Sequence, residues 1–182
     1  MTDQLPPVRR LVSGDNAAGR SSIVDDGPAT ASSRTVPGRP GYRVTNIWTT
    51  LGTLAPIGQT DRVVEHQGIA PPTNGTVIRV IDIPPESSDP EERKRQVSAS
   101  FSQMFTDADH RPDQRHPGMH RTDSVDYAIV LMGELVAIMD EDETVMRAGD
   151  ILIQRGTNHA WANRSDRPCR IAFVLIDGQE GS

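Results

Sequence analysis

The residues able to do chemistry crowd between His116 and Asn163. A first block carries His116, His120, Thr122, Asp126 and Tyr127 and closes on Gly133. A second block runs from Gly149 through Gln154 and Gly156 to His159, Trp161 and Asn163. Side chains alternate along a strand, so positions 116, 118, 120 and 122 share a face where the segment is extended. His120 and Thr122 then look into one interior, Asp126 returns to it after a short turn, and His159 enters from the second block. Two imidazoles and one carboxylate on one face of a metal leave positions open for water, dioxygen or substrate, as in non-heme iron oxygenases. The same set serves zinc or manganese as a Lewis acid.

Each residue also has a plainer reading. His120 and His159 are either ligands or satisfied structural groups, and Asp126 is a ligand, a turn cap or the acceptor of a ligand imidazole's second proton. Thr122 reads as a neutral pocket hydroxyl. His116 is a fourth ligand, an acid–base group or a turn residue beside Pro117 and Gly118. With Tyr127 it completes the candidate catalytic set of His116, Thr122 and Tyr127, although a regular strand turns Tyr127 away from Asp126. His66 and His110 read as structural. Trp48, Met132 and Trp161 line a pocket or pack a core.

The two blocks resemble the paired motifs of the cupin superfamily. Against the pattern Gly-x5-His-x-His-x3-4-Glu-x6-Gly, His120 matches the first histidine, Asp126 the glutamate and Gly133 the closing glycine, while Thr122 stands at the second histidine. Against Gly-x5-Pro-x-Gly-x2-His-x3-Asn, Gly149, Gly156, His159 and Asn163 match. Gln154 stands at the proline, and the first spacing is one residue shorter. The resemblance covers residues 76–177 and is closest to small bacterial and fungal single-domain cupins, most without an assigned reaction. It implies an all-β antiparallel jelly-roll barrel. It also implies a divalent metal on His120, Asp126 and His159, with iron favoured over zinc, manganese or nickel, a small-molecule substrate and a homodimer.

The rest of the chain must position these groups. Its 14 prolines and 15 glycines oppose long helices and suit many short strands with tight turns. Residues 1–7 are expected to fray, short strands are expected at 8–12 and 21–24, and 28–41 reads as a loop or mobile arm. Tyr42 to Thr50 is strand-like, and Thr76 to Ile83 alternates, with Val77, Arg79, Ile81 and Ile83 on one face. Asp89, Pro90, Glu91 and Glu92 open a helix expected over 89–105, with Val97, Phe101, Met104 and Phe105 on one side. It either caps the barrel or covers its pocket. Asp107 to His116 reads as a loop, and from Val125 the chain is strand after strand. Residues 1–60 are expected as an N-terminal arm and irregular strands packing on the barrel or on a dimer partner, and 61–182 as the barrel with its helical insertion.

A net charge of −6 gives no electrostatic footprint for nucleic acid. No apolar run approaches the ~20 residues of a membrane helix, and the N-terminus lacks a basic region followed by an apolar core. Cys169, the single cysteine, excludes an intrachain disulfide and fits a cytoplasmic protein. Taken together, the residues point to a metal-dependent enzyme, with dioxygenase chemistry ahead of a redox-neutral lyase, decarboxylase, dehydratase or isomerase. A small-molecule binding module is the alternative.

Overall fold

The computed structural model describes residues 4–179. Residues 1–3, part of the stretch expected to fray, lie outside the described residues. In chain order the elements are β1 (Arg9–Asp15), β2 (Ser21–Pro28), β3 (Ser33–Thr35), β4 (Arg43–Thr50), a 3-10 turn (Val63–Glu65), β5 (Thr76–Ile83) and α1 (Pro90–Gln103). Then follow β6 (Asp109–His110), β7 (His120–Arg121), β8 (Ser124–Met132), β9 (Glu134–Met139), β10 (Glu143–Arg147), β11 (Ile151–Arg155), β12 (His159–Ala162) and β13 (Cys169–Asp177).

Two antiparallel sheets stack as a jelly roll. The smaller is five-stranded, in the order β10-β9-β12-β7-β6; the larger is six-stranded, in the order β11-β8-β13-β5-β4-β3. Strand alternation builds the space between them. On β5, Val77, Arg79, Ile81 and Ile83 are all buried and face inward. On β8 the inward set is Ser124, Asp126, Ala128 and Val130, while Tyr127 and Leu131 face out. Phe173, Ile171 and Leu175 of β13 complete that wall, and Leu135 and Ala137 of β9 face it from the smaller sheet.

The N-terminal part is more ordered and more integrated than its composition suggests. β1 and β2 form a hairpin whose first strand runs to Asp15, beyond the expected end at Val12. The stretch expected as a loop contains β3, which pairs with β4, and β4 pairs with β5. The larger sheet therefore begins at Ser33, well before the border expected at residue 60. An outward clamp holds this end: Asp82 on β5 accepts from Arg43 on β4 (Nε, 3.0 Å) and from Arg170 on β13 (Nε, 2.6 Å). The same two arginines donate to the Pro6 carbonyl at 2.9 and 2.6 Å, which ties down the incoming chain.

Helix α1 starts as its residues dictate. Asp89 accepts from the Glu91 amide at 2.9 Å and Pro90 occupies the first turn. Val97 and Ser100 are its buried residues. Gly133 makes the β8–β9 turn at φ +79, and a Cβ there would meet the Pro168 carbonyl oxygen at 2.9 Å. Only glycine takes that backbone at no steric cost.

Candidate active site

A cavity of about 70 Å³ lies between the sheets, closed on one side by α1 through Val97, Ser100 and Phe101. The helix thus forms part of the pocket wall. His120 and His159 enter from the smaller sheet as direct register partners on β7 and β12. Their ring centroids are 4.3 Å apart. The loops before each strand set both rings in the same way. His120 Nδ1 lies 2.8 Å from the Gly118 carbonyl, and His159 Nδ1 lies 2.9 Å from the Thr157 carbonyl. A carbonyl only accepts, so at His120 the ring proton sits on Nδ1 and Nε2 carries the lone pair, while at His159 the Gln154 amide nitrogen also approaches Nδ1. Burial pushes His120 down to about 4, against the raising effect of the Gly118 carbonyl. It pushes His159 down to about 3, with His120 adding to the effect. Both imidazoles are neutral at physiological pH.

Gln154 buttresses the second ring. Its amide nitrogen donates to the Thr157 carbonyl at 2.5 Å and lies against His159 Nδ1, and its Oε1 accepts from the Thr157 amide at 3.1 Å. The residue that departs from the proline of the cupin pattern thus shapes the loop that orients His159.

Asp126 enters from the opposite sheet, on β8. Its Oδ1 lies 2.6 Å from Ser124 Oγ, which lies 2.9 Å from Thr122 Oγ1. Burial raises Asp126 to about 6, partly offset by the Ser124 hydroxyl and the Arg79 charge. Thr122 is buried behind Asp126 and reaches it only through Ser124. It is absent from the cavity wall.

His116 lines the cavity, but both its nitrogens are engaged. Nε2 donates to Glu86 Oε1 at 2.8 Å and Nδ1 accepts from the Gly118 amide at 3.0 Å. Gly118 therefore bridges the two histidines of the first block, its amide serving His116 and its carbonyl His120. A Cβ on Gly118 would meet His116 Nδ1 at 3.0 Å. Asn163 supports this corner, donating to the Ile83 and Arg167 carbonyls at 2.8 Å while its own carbonyl accepts from the Glu86 amide at 2.9 Å.

Tyr127 needs a correction. It is 40% exposed on the outer face of β8, opposite Ile153, so the sheet itself separates it from the cavity. The alternation that brings Asp126 inward turns its neighbour outward. His66 and His110 are both engaged within the fold. His66 Nε2 lies 3.2 Å from Arg79 Nη2, and His110 Nε2 lies 2.8 Å from the Pro117 carbonyl. Cys169 is buried and its thiol is pushed up to about 12, which leaves it inert.

The cavity also holds residues that the two blocks do not contain: Arg39, Tyr42 and Arg79. Arg79 had a signal, since it interrupts the apolar face of β5. Arg39 and Tyr42 come from the loop before β4, and no spacing pattern marks them.

With this geometry in place, comparison with known proteins is informative. A family model described as a cupin domain matches residues 109–176. Phomopsin biosynthesis cluster protein C' of Diaporthe leptostromiformis is 44% identical over 63 residues, 34% of this chain and 33% of that protein. The cupin-domain-containing oxidoreductase virC of Hypocrea virens is 43% identical over 63 residues, 32% of each chain. The chain thus matches about a third of the length of these curated relatives. Among solved structures, the cupin domain of Schizosaccharomyces pombe Cnp3 is similar over 93% of this chain and 87% of that one, with 8% identity and a TM-score of 0.46. Among the described residues, no helix is long and apolar enough to cross a membrane.

The cupin pattern implies a metal ion. His120 and His159 fit one as an imidazole pair, each with its second nitrogen held by a carbonyl. Asp126 does not join them: among the described residues no three His, Cys, Asp or Glu side chains come together as a metal-binding group. The expected set of His120, Asp126 and His159 lines one cavity but is not assembled as a triad, because Asp126 stands on the opposing sheet, hydrogen-bonded to Ser124.

Proposed function

We propose that the chain is an enzyme acting on a small organic molecule in this cavity, with His120 and His159 as paired ligands of a divalent metal ion, iron first. One observation carries the reading. Both rings turn Nδ1 to the carbonyl two residues earlier, and both side chains line the cavity. Metal-binding histidines almost always hold their second nitrogen in such a contact. When bound, the ion supplies Lewis acidity and open positions for dioxygen or substrate.

The chain's own side chains supply the rest. Asp126, held at about 6, takes or returns a proton at the cavity wall near neutral pH. Trp161 and Phe173, edge to face at 5.1 Å, give the pocket an apolar wall. Glu86 fixes the His116 ring, and through Gly118 that ring braces His120. Four relatives carry the printed name oxidoreductase, which supports an oxidation. The proton-carrying Asp126 favours a second reading, a redox-neutral lyase, decarboxylase, dehydratase or isomerase.

Oxygen uptake by metal-reconstituted protein, screened against small organic acids and phenols, tests the proposal. Uptake that depends on both histidines supports oxidation, and turnover without uptake selects the redox-neutral reading. Ligand binding with no turnover in any metal form leaves a binding module.

We also propose a homodimer. The outer face of the larger sheet carries an apolar row, Ile153, Tyr127, Val174, Ile78 and Trp48, in register across five strands. Ile151 and Leu131 extend it at 61% and 49% exposure. The β1–β2 hairpin reaches only the Trp48 end, where Arg10 stacks on that ring. A second copy covering the open end buries an exposed apolar surface.

A further inference from the structure

We infer that the cavity is built for the carboxylate of a small, otherwise apolar organic anion, held by Arg39 and Arg79. That the anion is a substrate rests on the catalytic reading above; that it binds does not. Arg79 is 1% exposed and Arg39 7% exposed, and both line the cavity. Among the described residues neither guanidinium has an ion-pair partner, although this chain pairs its outward arginines readily. Arg43 and Arg170 share Asp82, Arg9 takes Asp26, and Arg164 takes Glu143.

The inward pair makes do with neutral groups. Arg79 donates to the Gly68 and Ile69 carbonyls at 3.0 and 2.9 Å, and its buried Nε has no partner. The carboxylate that acts on it most strongly, Asp107, spends its oxygens on the Ile69 and Ala70 amides at 2.8–3.0 Å. Arg39 donates to Ser100 Oγ at 3.0 Å and stacks 4.1 Å over the Tyr42 ring. A buried guanidinium without a counter-charge is costly unless something compensates it. Asp126, the carboxylate on the cavity wall, makes no ion pair with either arginine among the described residues and accepts instead from the Ser124 hydroxyl at 2.6 Å.

The site is therefore rich in donors and short of acceptors. A carboxylate supplies two planar acceptor oxygens and the missing charge, which is the match guanidinium makes best. The remaining wall is apolar, with Phe101, Phe105, Trp161, Phe173, Ile81 and Leu175. That wall selects an aliphatic or aromatic body. A cation would add to the uncompensated charge, and a phosphate dianion would pay more desolvation than this small, largely apolar cavity returns.

Calorimetric titration of metal-free protein with benzoate, and with its neutral isostere benzamide, tests the inference. Benzoate is expected to bind at least about tenfold more tightly than benzamide, and Arg39→Gln and Arg79→Gln each to remove that preference. If Arg79→Gln does not fold, Arg39→Gln carries the test. Equal binding of the two probes, unchanged benzoate binding in the folded variants, or no saturable binding of benzoate or the smaller isobutyrate would overturn it. So would benzoate binding that appears only with metal and ignores both arginines. Arginine-dependent binding in a protein that takes up no metal keeps this inference and removes the metal-enzyme reading; metal uptake without arginine-dependent binding does the reverse.

Discussion

His120 and His159 stand directly opposite one another on paired antiparallel strands, and each sends Nδ1 to the carbonyl two residues before it. The repeated contact means that two segments distant in sequence hold their imidazoles by the same nitrogen, with the ring planes tilted by 45°. It gives the cavity a two-nitrogen corner facing a carboxylate and two guanidinium groups.

The titrating groups predict how stability follows pH in metal-free protein. His120 and His159 lie at about 4 and about 3 when folded, below the ~6.5 of an unfolded chain. As pH falls from about 6.5 towards 4, the unfolded chain takes up protons that the folded chain refuses, so stability falls. Asp126 runs the other way. Its folded value of about 6 exceeds the unfolded ~3.9, so its penalty is absent below about 4 and complete above about 6. Asp126→Asn should therefore steepen the rise of stability with pH between about 4 and 6 by roughly one proton. Urea denaturation across that window measures it, and an unchanged slope contradicts the burial of Asp126 as a neutral acid.

The Asp82 clamp predicts a large structural effect far from the cavity. Asp82→Ala leaves Arg43 and Arg170 without their shared carboxylate and loosens the chain at Pro6. The expected loss is about 3 kcal/mol or more, since breaking a buried pair leaves an uncompensated charge. Chemical denaturation reads it, and a loss within experimental error would mean that the clamp is merely decorative.

Much of this arrangement is legible in the residues themselves. The alternation from Thr76 to Ile83 marks β5 at its observed ends, and Asp89 followed by Pro90 marks the start of α1. Motif spacing brings His120 and His159 to one cavity because each stands at a fixed offset from a turn glycine. Alternation also foretells Tyr127's outward aspect, yet motif proximity alone put it among the candidates. Other features have no local signature. β3 joins the larger sheet by pairing with β4, a long-range contact that a stretch rich in Pro, Gly and Ser does not announce. Arg39 reaches the cavity through the packing of a loop. Whether Asp126 closes on the histidines depends on the spacing between sheets, which strand alternation leaves open.

The outer face of the larger sheet predicts the assembly. Ile153→Glu puts a charge beside Tyr127 in the middle of the apolar row. Sedimentation should show wild-type dimers and variant monomers, with the cavity's ligand binding retained. A wild-type protein that is monomeric at all concentrations rules this face out as a self-interface.

Tyr127→Phe, on that outer surface, should leave metal content and cavity binding unchanged, whereas Gly118→Ala should impair both. Its added Cβ presses on His116 Nδ1 at the residue whose carbonyl orients His120. Parallel metal and ligand titrations of the two variants separate a surface tyrosine from a positioning glycine.

Elemental analysis of untagged protein, prepared without chelator and after reconstitution with iron, zinc or manganese, tests the central claim most directly. The account predicts near-stoichiometric metal in the wild type, lost in His120→Ala and His159→Ala while circular dichroism shows the fold intact. A wild type that takes up no metal, or metal retained in both folded variants, would contradict it.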